Sequence, residues 1–370
     1  MPGKAAMTTA SAGPAALLRN YWNAELLRLL ESDLLASDLA DTQVIPANSG
    51  KAIEFHRISN FPKQVYGVTQ VLGWPPTATS GALKGSSFTV DSVVYTLELL
   101  TNDLEMSEMA VMCAEPNPLP ALTAEFLYNA KDTLDQRMIN KMVANTGNTQ
   151  TSTVPSVSYG GASVSVVQIW GDGSQTLTEV TLDADNPAHR IAAETFNSAY
   201  TQLRVNGAKP RDGSLYDALV SPEIAGDLRT DGTFQDIALK GNQRGEDKFE
   251  RASIGNVFGV RVMEDQNVSV YNITGTIDST NDYIHRCPVM GRGYVKRISH
   301  AKGIGVPRVN YIPPGSVDKA DPYGLVGIMT WKIYDADGGV INPLAGVIIK
   351  AATIRARRTA GYDDRWDGLT

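Results

Sequence analysis

One stretch of this chain restricts its fold more than any other. From residue 121 to residue 145, Leu122, Phe126, Ala130, Leu134, Met138 and Met142 recur at every fourth position. Leu127, Ile139 and Val143 widen that row into a broad apolar stripe, which is the pattern of an amphipathic helix. Pro116, Pro118 and Pro120 punctuate its approach, and Asn145-Thr-Gly147 supplies a glycine stop. At 1.5 Å per residue such a helix is about 37 Å long. A helix of that length acts as a strut, and the rest of the chain must pack along it.

The surrounding sequence alternates strand and helix signals. Residues 17–32 repeat apolar groups at helical spacing, and a short second helix is expected over 34–40. Residues 51–58 place Ile53 and Phe55 on one side and Glu54 and His56 on the other, as a strand does. Residues 88–100 form the next strand candidate. Asn186-Pro187 reads as a helix start, with Ile191, Thr195, Phe196, Ala199 and Leu203 as its stripe and Asn206-Gly207 as its end. Residues 215–220 read as a buried strand, and Ser221-Pro222 repeats the cap-then-proline signal. Strands are expected at 257–265, 268–274, 325–334 and 345–354, with Asp335-Ala-Asp337-Gly338 as a hairpin turn between the last two. The fold class expected is α+β.

Between the first two strands lie residues 59–87, with Pro62, Pro75, Pro76 and several glycines. A structureless loop of that length is uncommon inside a compact domain. It also carries Phe61, Val65, Tyr66, Leu72 and Trp74. Leaving so many apolar groups in water is costly. These residues are therefore candidates for packing on something other than their own domain, and we read them as an intersubunit loop.

Composition narrows the function. The chain has 370 residues, 33 Lys+Arg and 40 Asp+Glu, for a formal charge of −7. With 20% charged and 42% hydrophobic residues it is not a disordered chain, and its length exceeds the usual limit for a single core. Net acidity argues against a dedicated nucleic-acid binder. Cys113 and Cys287 are too few for a disulfide framework or a zinc site and read as free thiols. No apolar run is long enough for a transmembrane helix, and the first residues lack the apolar centre of a secretory signal. Synthesis in the cytoplasm without a membrane partner is expected.

Catalytic motifs are missing from the sequence. It has no phosphate-binding loop, no His-Glu-x-x-His and no Gly-x-Ser-x-Gly. His56, His189, His285 and His300 are scattered. Asp335-Ala-Asp337-Gly338 starts like a calcium loop, but Gly346 stands where the closing Glu belongs. Asn267-Val-Ser and Asn272-Ile-Thr match the glycosylation pattern and are discounted for want of a secretory signal. No cofactor, metal or enzymatic activity is expected. One local charge feature stands out: Arg292, Lys296, Arg297, Lys302 and Arg308 fall in a stretch with no acid. It reads as a solvated face or as a phosphate-facing surface.

The colinear order of arm, long loop, proline turn, strut helix, mixed region and returning strands resembles the major capsid proteins of tailed bacteriophages with the Hong Kong 97-type fold. Within them it is most similar to the coliphage N4 capsid family. The resemblance is carried by GKAIEFHRISNF, by LTAEFLYNAKDTLDQRMINKMVANTG, by LYDALVSPEIAGDLRTDGTF, by SIGNVFGVRVMED and by YGLVGIMTWKIYDADGGVINPLAGVIIKAATI. It implies an N-terminal arm at 1–46, an extended loop at 47–102, a peripheral domain at 103–188 and 321–356 around the spine helix 121–145, an axial domain at 189–320 and a tail at 357–370. It further implies self-assembly through hexamers and pentamers into an icosahedral shell around packaged double-stranded DNA. The partners implied are scaffold, portal and decoration proteins and non-specific contact with DNA, and the location implied is the virion. Residues 147–182 match nothing in that family pattern. An encapsulin-like nanocompartment shell and a phage tail or surface protein are the alternative readings.

Overall fold

A computed structural model describes residues 36–46, 52–58, 90–109, 119–143, 156–159, 162–175, 189–211, 213–235, 255–268, 270–272, 283–300, 308–315 and 323–353. In chain order the elements begin with α1 (Ala36–Leu39), β1 (Asp41–Ile45), β2 (Ala52–Ile58), β3 (Val90–Ser107) and α2 (Leu119–Val143). They continue with β4 (Ser156–Tyr159), β5 (Ala162–Ser165), β6 (Val167–Trp170), α3 (Ala193–Val205), β7 (Tyr216–Val220) and α4 (Pro222–Thr230). Last come β8 (Asn256–Val257), β9 (Val260–Glu264), β10 (Val270–Asn272), β11 (Tyr283–Met290), β12 (Val295–His300), β13 (Arg308–Ile312), β14 (Val326–Val340) and β15 (Gly346–Ala352). The α+β class expected from the sequence is what these elements build.

The chain divides into two units. The first comprises residues 1–31, 102–129 and 309–331, and the second comprises 32–101, 130–308 and 332–370.

In the second unit, the main sheet has the order β6-β15-β11-β7-β9-β8, with β10 added beside β11. Its central strands show no alternation because both faces are covered: β7 and β15 are buried along their whole length, Asp217 and Lys350 included. The helix stripe of α3 buries Thr195, Phe196, Ala199 and Leu203. That of α4 buries Ile224, Ala225 and Leu228. Met138, Ile139, Met142 and Val143 of α2 join the same core. Ser221 caps α4 by accepting a hydrogen bond from the Ile224 N–H, and Pro222 follows it, as the sequence predicts. Tyr294 donates its hydroxyl to the Met142 carbonyl at 2.6 Å, which ties the end of α2 to the strand connection before β12.

A second sheet has the order β1-β12-β14-β3-β2, with β13 beside β14. Ile45 and Ile298 are its buried centre, and Ile53, Phe55, Tyr95 and Leu97 pack over them. β1 runs parallel to β12, with Asp41 opposite Lys296 and Ile45 opposite His300.

The first unit has its own small network. Asn129 accepts from the Trp331 indole N–H at 3.1 Å and from the Asn102 amide at 3.2 Å through one side-chain oxygen. Trp331 and Met329 are buried. The Gly315 N–H donates to the Gly324 carbonyl at 2.7 Å.

Four sequence expectations are corrected. Asp335-Ala-Asp337-Gly338 is no hairpin turn, because β14 runs straight through it. Its glycines permit close approach: a Cβ on Gly338 would fall on the Lys296 carbonyl oxygen, and one on Gly339 would meet the Tyr95 ring. Glycine within a strand has this second use beside turns, and the β12–β14 register shifts at the same place, between Lys296 and Ile298. The link lies further on, in a 3-10 turn at Pro343–Ala345. Residues 257–265 are not one strand either. β8 and β9 form a tight hairpin about Phe258-Gly259, both with positive φ, the geometry of a type I′ turn. The helix expected from Asn186-Pro187 starts at Ala193 instead, with Ala192 as its N-cap. Finally, the basic stretch at 292–308 is not simply a solvated face, because it contains strand β12 with Val295 and Ile298 buried. The strut helix spans Leu119–Val143, two residues earlier than its pattern suggests. Strand β11 (YIHRCPVM) has no clear period in the sequence.

Candidate assembly surfaces

The loop residues Phe61, Val65, Tyr66, Leu72 and Trp74 lie outside the described residues, but the ribbon that carries them does not. β2 and β3 pair antiparallel from Ala52 opposite Thr96 to Ile58 opposite Val90. Strand alternation gives the ribbon two unlike faces. Ile53, Phe55, Tyr95 and Leu97 turn toward Ile45 and Ile298. Phe55 and Tyr95 meet edge to face at 6.0 Å, and the Tyr95 hydroxyl donates to the Val340 carbonyl at 3.3 Å. On the other face Glu54 and His56 stand exposed beside Val94, which is 57% exposed. The stem is thus anchored inward and open outward.

The predicted basic residues do not form one row. Lys296 is held within the second unit: its Nζ donates to Gln43 at 3.3 Å and sits 4.6 Å from the centre of the Phe55 ring. Arg297 is half-buried, while Arg292 is exposed on the turn before β12. Lys302 and the Arg308 side chain lie outside the described residues.

Folding brings Arg292 to a different basic group that the linear charge pattern does not reveal. Its N–H donates to the Lys209 carbonyl at 2.9 Å, and Lys209 is also exposed. Lys209 follows the end of α3, where Arg204 lies 5.2 Å from the Tyr200 ring centre and 5.8 Å from that of Tyr216. The Arg204 Nε donates to the Tyr200 hydroxyl at 3.2 Å. That hydrogen bond holds the guanidinium above its ordinary pKa. On the other face of β7 from Tyr216, the buried Asp217 receives Nε and Nη2 of Arg261 on Oδ1, each at 2.8 Å, and its Oδ2 faces Arg211 at 3.5 Å. Apolar groups border the cluster: Val205 is 75% exposed and Phe258 is 40% exposed.

Nothing among the described residues looks like a catalytic centre. His285 is buried, its Nδ1 2.7 Å from the Ser221 hydroxyl. His56 is exposed and His189 half-buried at separate places. Among the described residues no group of histidines, cysteines and carboxylates is placed to hold a metal ion, and no helix is long and apolar enough to cross a membrane. Asn267 of the glycosylation pattern is buried, with its amide donating to Asp132 at 2.8 Å.

No protein-family model and no curated protein sequence matches the chain. Solved structures do match, and they cover nearly all of it. The capsid of cyanophage Pam1 is 12% identical with a TM-score of 0.61, over 94% of this chain and 100% of that one. The head structure of Helicobacter pylori bacteriophage KHP40 is 11% identical with a TM-score of 0.62, over 94% and 98%. The capsid of cyanophage P-SCSP1u is 13% identical with a TM-score of 0.60, over 94% and 97%. The chain has the fold of phage capsid proteins.

Proposed function

We propose that the protein is a major capsid protein of the Hong Kong 97 type, most similar to the coliphage N4 family, and that its copies build the icosahedral head shell of a tailed phage around double-stranded DNA. The observation that carries this reading is the match along nearly the whole length of both chains. A shared module grafted onto another protein would leave part of one chain uncovered. In this reading the chain is structural rather than enzymatic, and it resides in the virion after synthesis in a bacterial host.

The further parts of the reading follow from chemistry. A subunit that tiles a closed surface needs a rigid body and arms that reach its neighbours. The arms are the N-terminal residues 1–46 and the loop within 47–102, with Phe61, Val65, Tyr66, Leu72 and Trp74 burying themselves on an adjacent subunit. Residues 103–188 and 321–356 form the peripheral domain, 189–320 the axial domain and 357–370 a tail. Hexamers and pentamers of the chain are its principal partners, joined by scaffold, portal and decoration proteins. Of the basic stretch, with Lys296 engaged by Gln43 and Phe55 and Arg292 set apart from the row, Arg297, Lys302 and Arg308 are the residues left to lend the lumen face charge for non-specific phosphate contact.

Negative-stain microscopy of the purified protein, alone and with its scaffold, tests the reading. Closed shells of uniform diameter are expected. A protein that stays monomeric at high concentration in both cases overturns it.

A further inference from the structure

The described part of the first unit carries Asp103, Glu105, Glu108 and Glu125 and not one lysine or arginine. Asp103 and Glu105 alternate outward along β3, with Leu104 and Met106 less exposed between them. The Glu108 N–H donates to the Leu325 carbonyl at 2.7 Å, which sets Glu108 beside exposed apolar groups. Leu325 is 52% exposed, Met109 77% and Tyr323 81%. A soluble surface rarely concentrates large apolar groups in this way without a use for them.

The second unit carries the opposite arrangement. Arg204, Lys209 and Arg292 are exposed and adjoin one another through Ala208 and the Lys209 carbonyl. Tyr200, Val205 and Phe258 supply the apolar part. Aromatic groups with arginine are the residue types that dominate binding energy at protein interfaces. Asp217, which follows Tyr216 on β7, is turned to the other face of the strand and is engaged there by Arg261 and Arg211. On a chain whose total charge is −7, a compact positive surface is a local departure.

We propose that these two surfaces are complementary halves of one contact between copies of this chain: the acidic, apolar surface of the first unit of one copy docks on the Arg204–Lys209–Arg292 surface of the second unit of the next. The two patches have opposite charge and each has apolar groups beside its charges, so a second copy satisfies both at once. The contact is head to tail, because the two surfaces differ. Such contacts propagate from copy to copy and close when the rotation permits. Opposed potentials of this kind speed encounter, set register and penalise wrong partners. The proposal rests on the shell-building reading and names the surface that reading leaves unassigned.

The test uses charge exchange in the full-length chain. One variant carries Arg204→Glu, Lys209→Glu and Arg292→Glu, a second carries Asp103→Lys, Glu105→Lys and Glu108→Lys, and a third carries all six. Assembly is read by sedimentation and microscopy, and folding by circular dichroism and thermal melting. Each triple variant is expected to lose shell yield by roughly tenfold or more, and the six-fold variant to regain most of it. Milder sets with glutamine at the same positions, weakened in proportion, cover the case in which a triple variant does not fold. Folded triple variants that assemble like the parent overturn the proposal. So does a six-fold variant no better than either triple. A basic-patch variant that builds normal shells but holds less DNA assigns the patch to nucleic acid and also overturns it. A parent chain that never assembles overturns the shell reading itself, a separate outcome.

Discussion

Cys287 shows how burial alone sets the chemistry of a side chain. It is fully buried in β11, and burial pushes its thiol up from an ordinary 9.0 to about 12. The thiolate is the reactive form. Cys287 is therefore expected to resist a thiol-specific reagent in the folded protein at pH 8 and to react at once in denaturant, as peptide mapping by mass spectrometry checks. The sign of the pH effect follows. The folded pKa lies above the unfolded one, so this contribution to stability is complete below pH 9.0 and is lost as pH rises toward about 12. Denaturant midpoints measured from pH 8 upward should fall over that window, and less so in Cys287→Ala after correction for its lower starting stability. A second residue-scale test concerns Gly338. Adding a methyl there drives it into the Lys296 carbonyl, a backbone group that cannot turn aside. Gly338→Ala is expected to cost about 1–3 kcal/mol, read from the urea midpoint. An unchanged midpoint means the strands do not approach as described.

At the scale of elements, the β8–β9 hairpin holds a conflict between local preference and position. Phe258 takes a φ of 46° in the turn, a conformation that bulky side chains avoid and that asparagine tolerates. A Cβ on the next residue, Gly259, would strike the Tyr200 ring, so the turn cannot shift by one residue. Phe258→Asn is expected to stabilise the isolated subunit by up to about 1 kcal/mol. The same change should weaken assembly, because it removes an exposed aromatic group beside Arg204. A stability gain without any loss of shell yield would leave Phe258 with no role in the contact.

Elements also show what the sequence makes legible. The stripe of α2, the stripe of α3 and the cap at Ser221 were readable because each depends on neighbours within a few positions. So did the β2–β3 ribbon, with its strict alternation. Strand β11 was hidden because a strand buried on both faces has no period to detect: Ile284, Cys287 and Val289 are buried, but so are His285 and Arg286. The glycines of Asp337-Gly338-Gly339 misled for a related reason. Turn chemistry and close backbone approach call for the same residue, and only the partner strand decides between them. The basic cluster was invisible because Arg204, Lys209 and Arg292 meet only through the fold. The reverse held for Lys296, whose place in a charge run suggested an open face and whose ammonium is instead engaged by Gln43 and Phe55.

For the whole molecule, the arm hypothesis separates folding from assembly. The β2–β3 stem is anchored by Ile53, Phe55, Tyr95 and Leu97 on Ile45 and Ile298. Deleting 62–85 is expected to spare the soluble monomer, with an unchanged circular dichroism melt, and to abolish shells in the micrograph. Loss of soluble monomer would mean that the segment belongs to the subunit's own core.

The parallel pairing of β1 with β12 carries a consequence in time. Asp41 lies opposite Lys296, so some 250 residues of synthesis separate the two strands. At roughly 5–20 residues per second the ribosome takes about 10–50 s to cover that distance. For most of that interval β1 is outside the exit tunnel and its partner does not yet exist. The second sheet therefore forms near the end of translation, and a nascent chain cannot display a finished subunit surface to its neighbours on the same messenger. A force-sensing arrest peptide placed after successive residues should register little pulling from this sheet until about residue 330, once β12 has cleared the tunnel. If the chain builds shells as proposed, late closure of the sheet is expected to keep half-made chains out of growing particles.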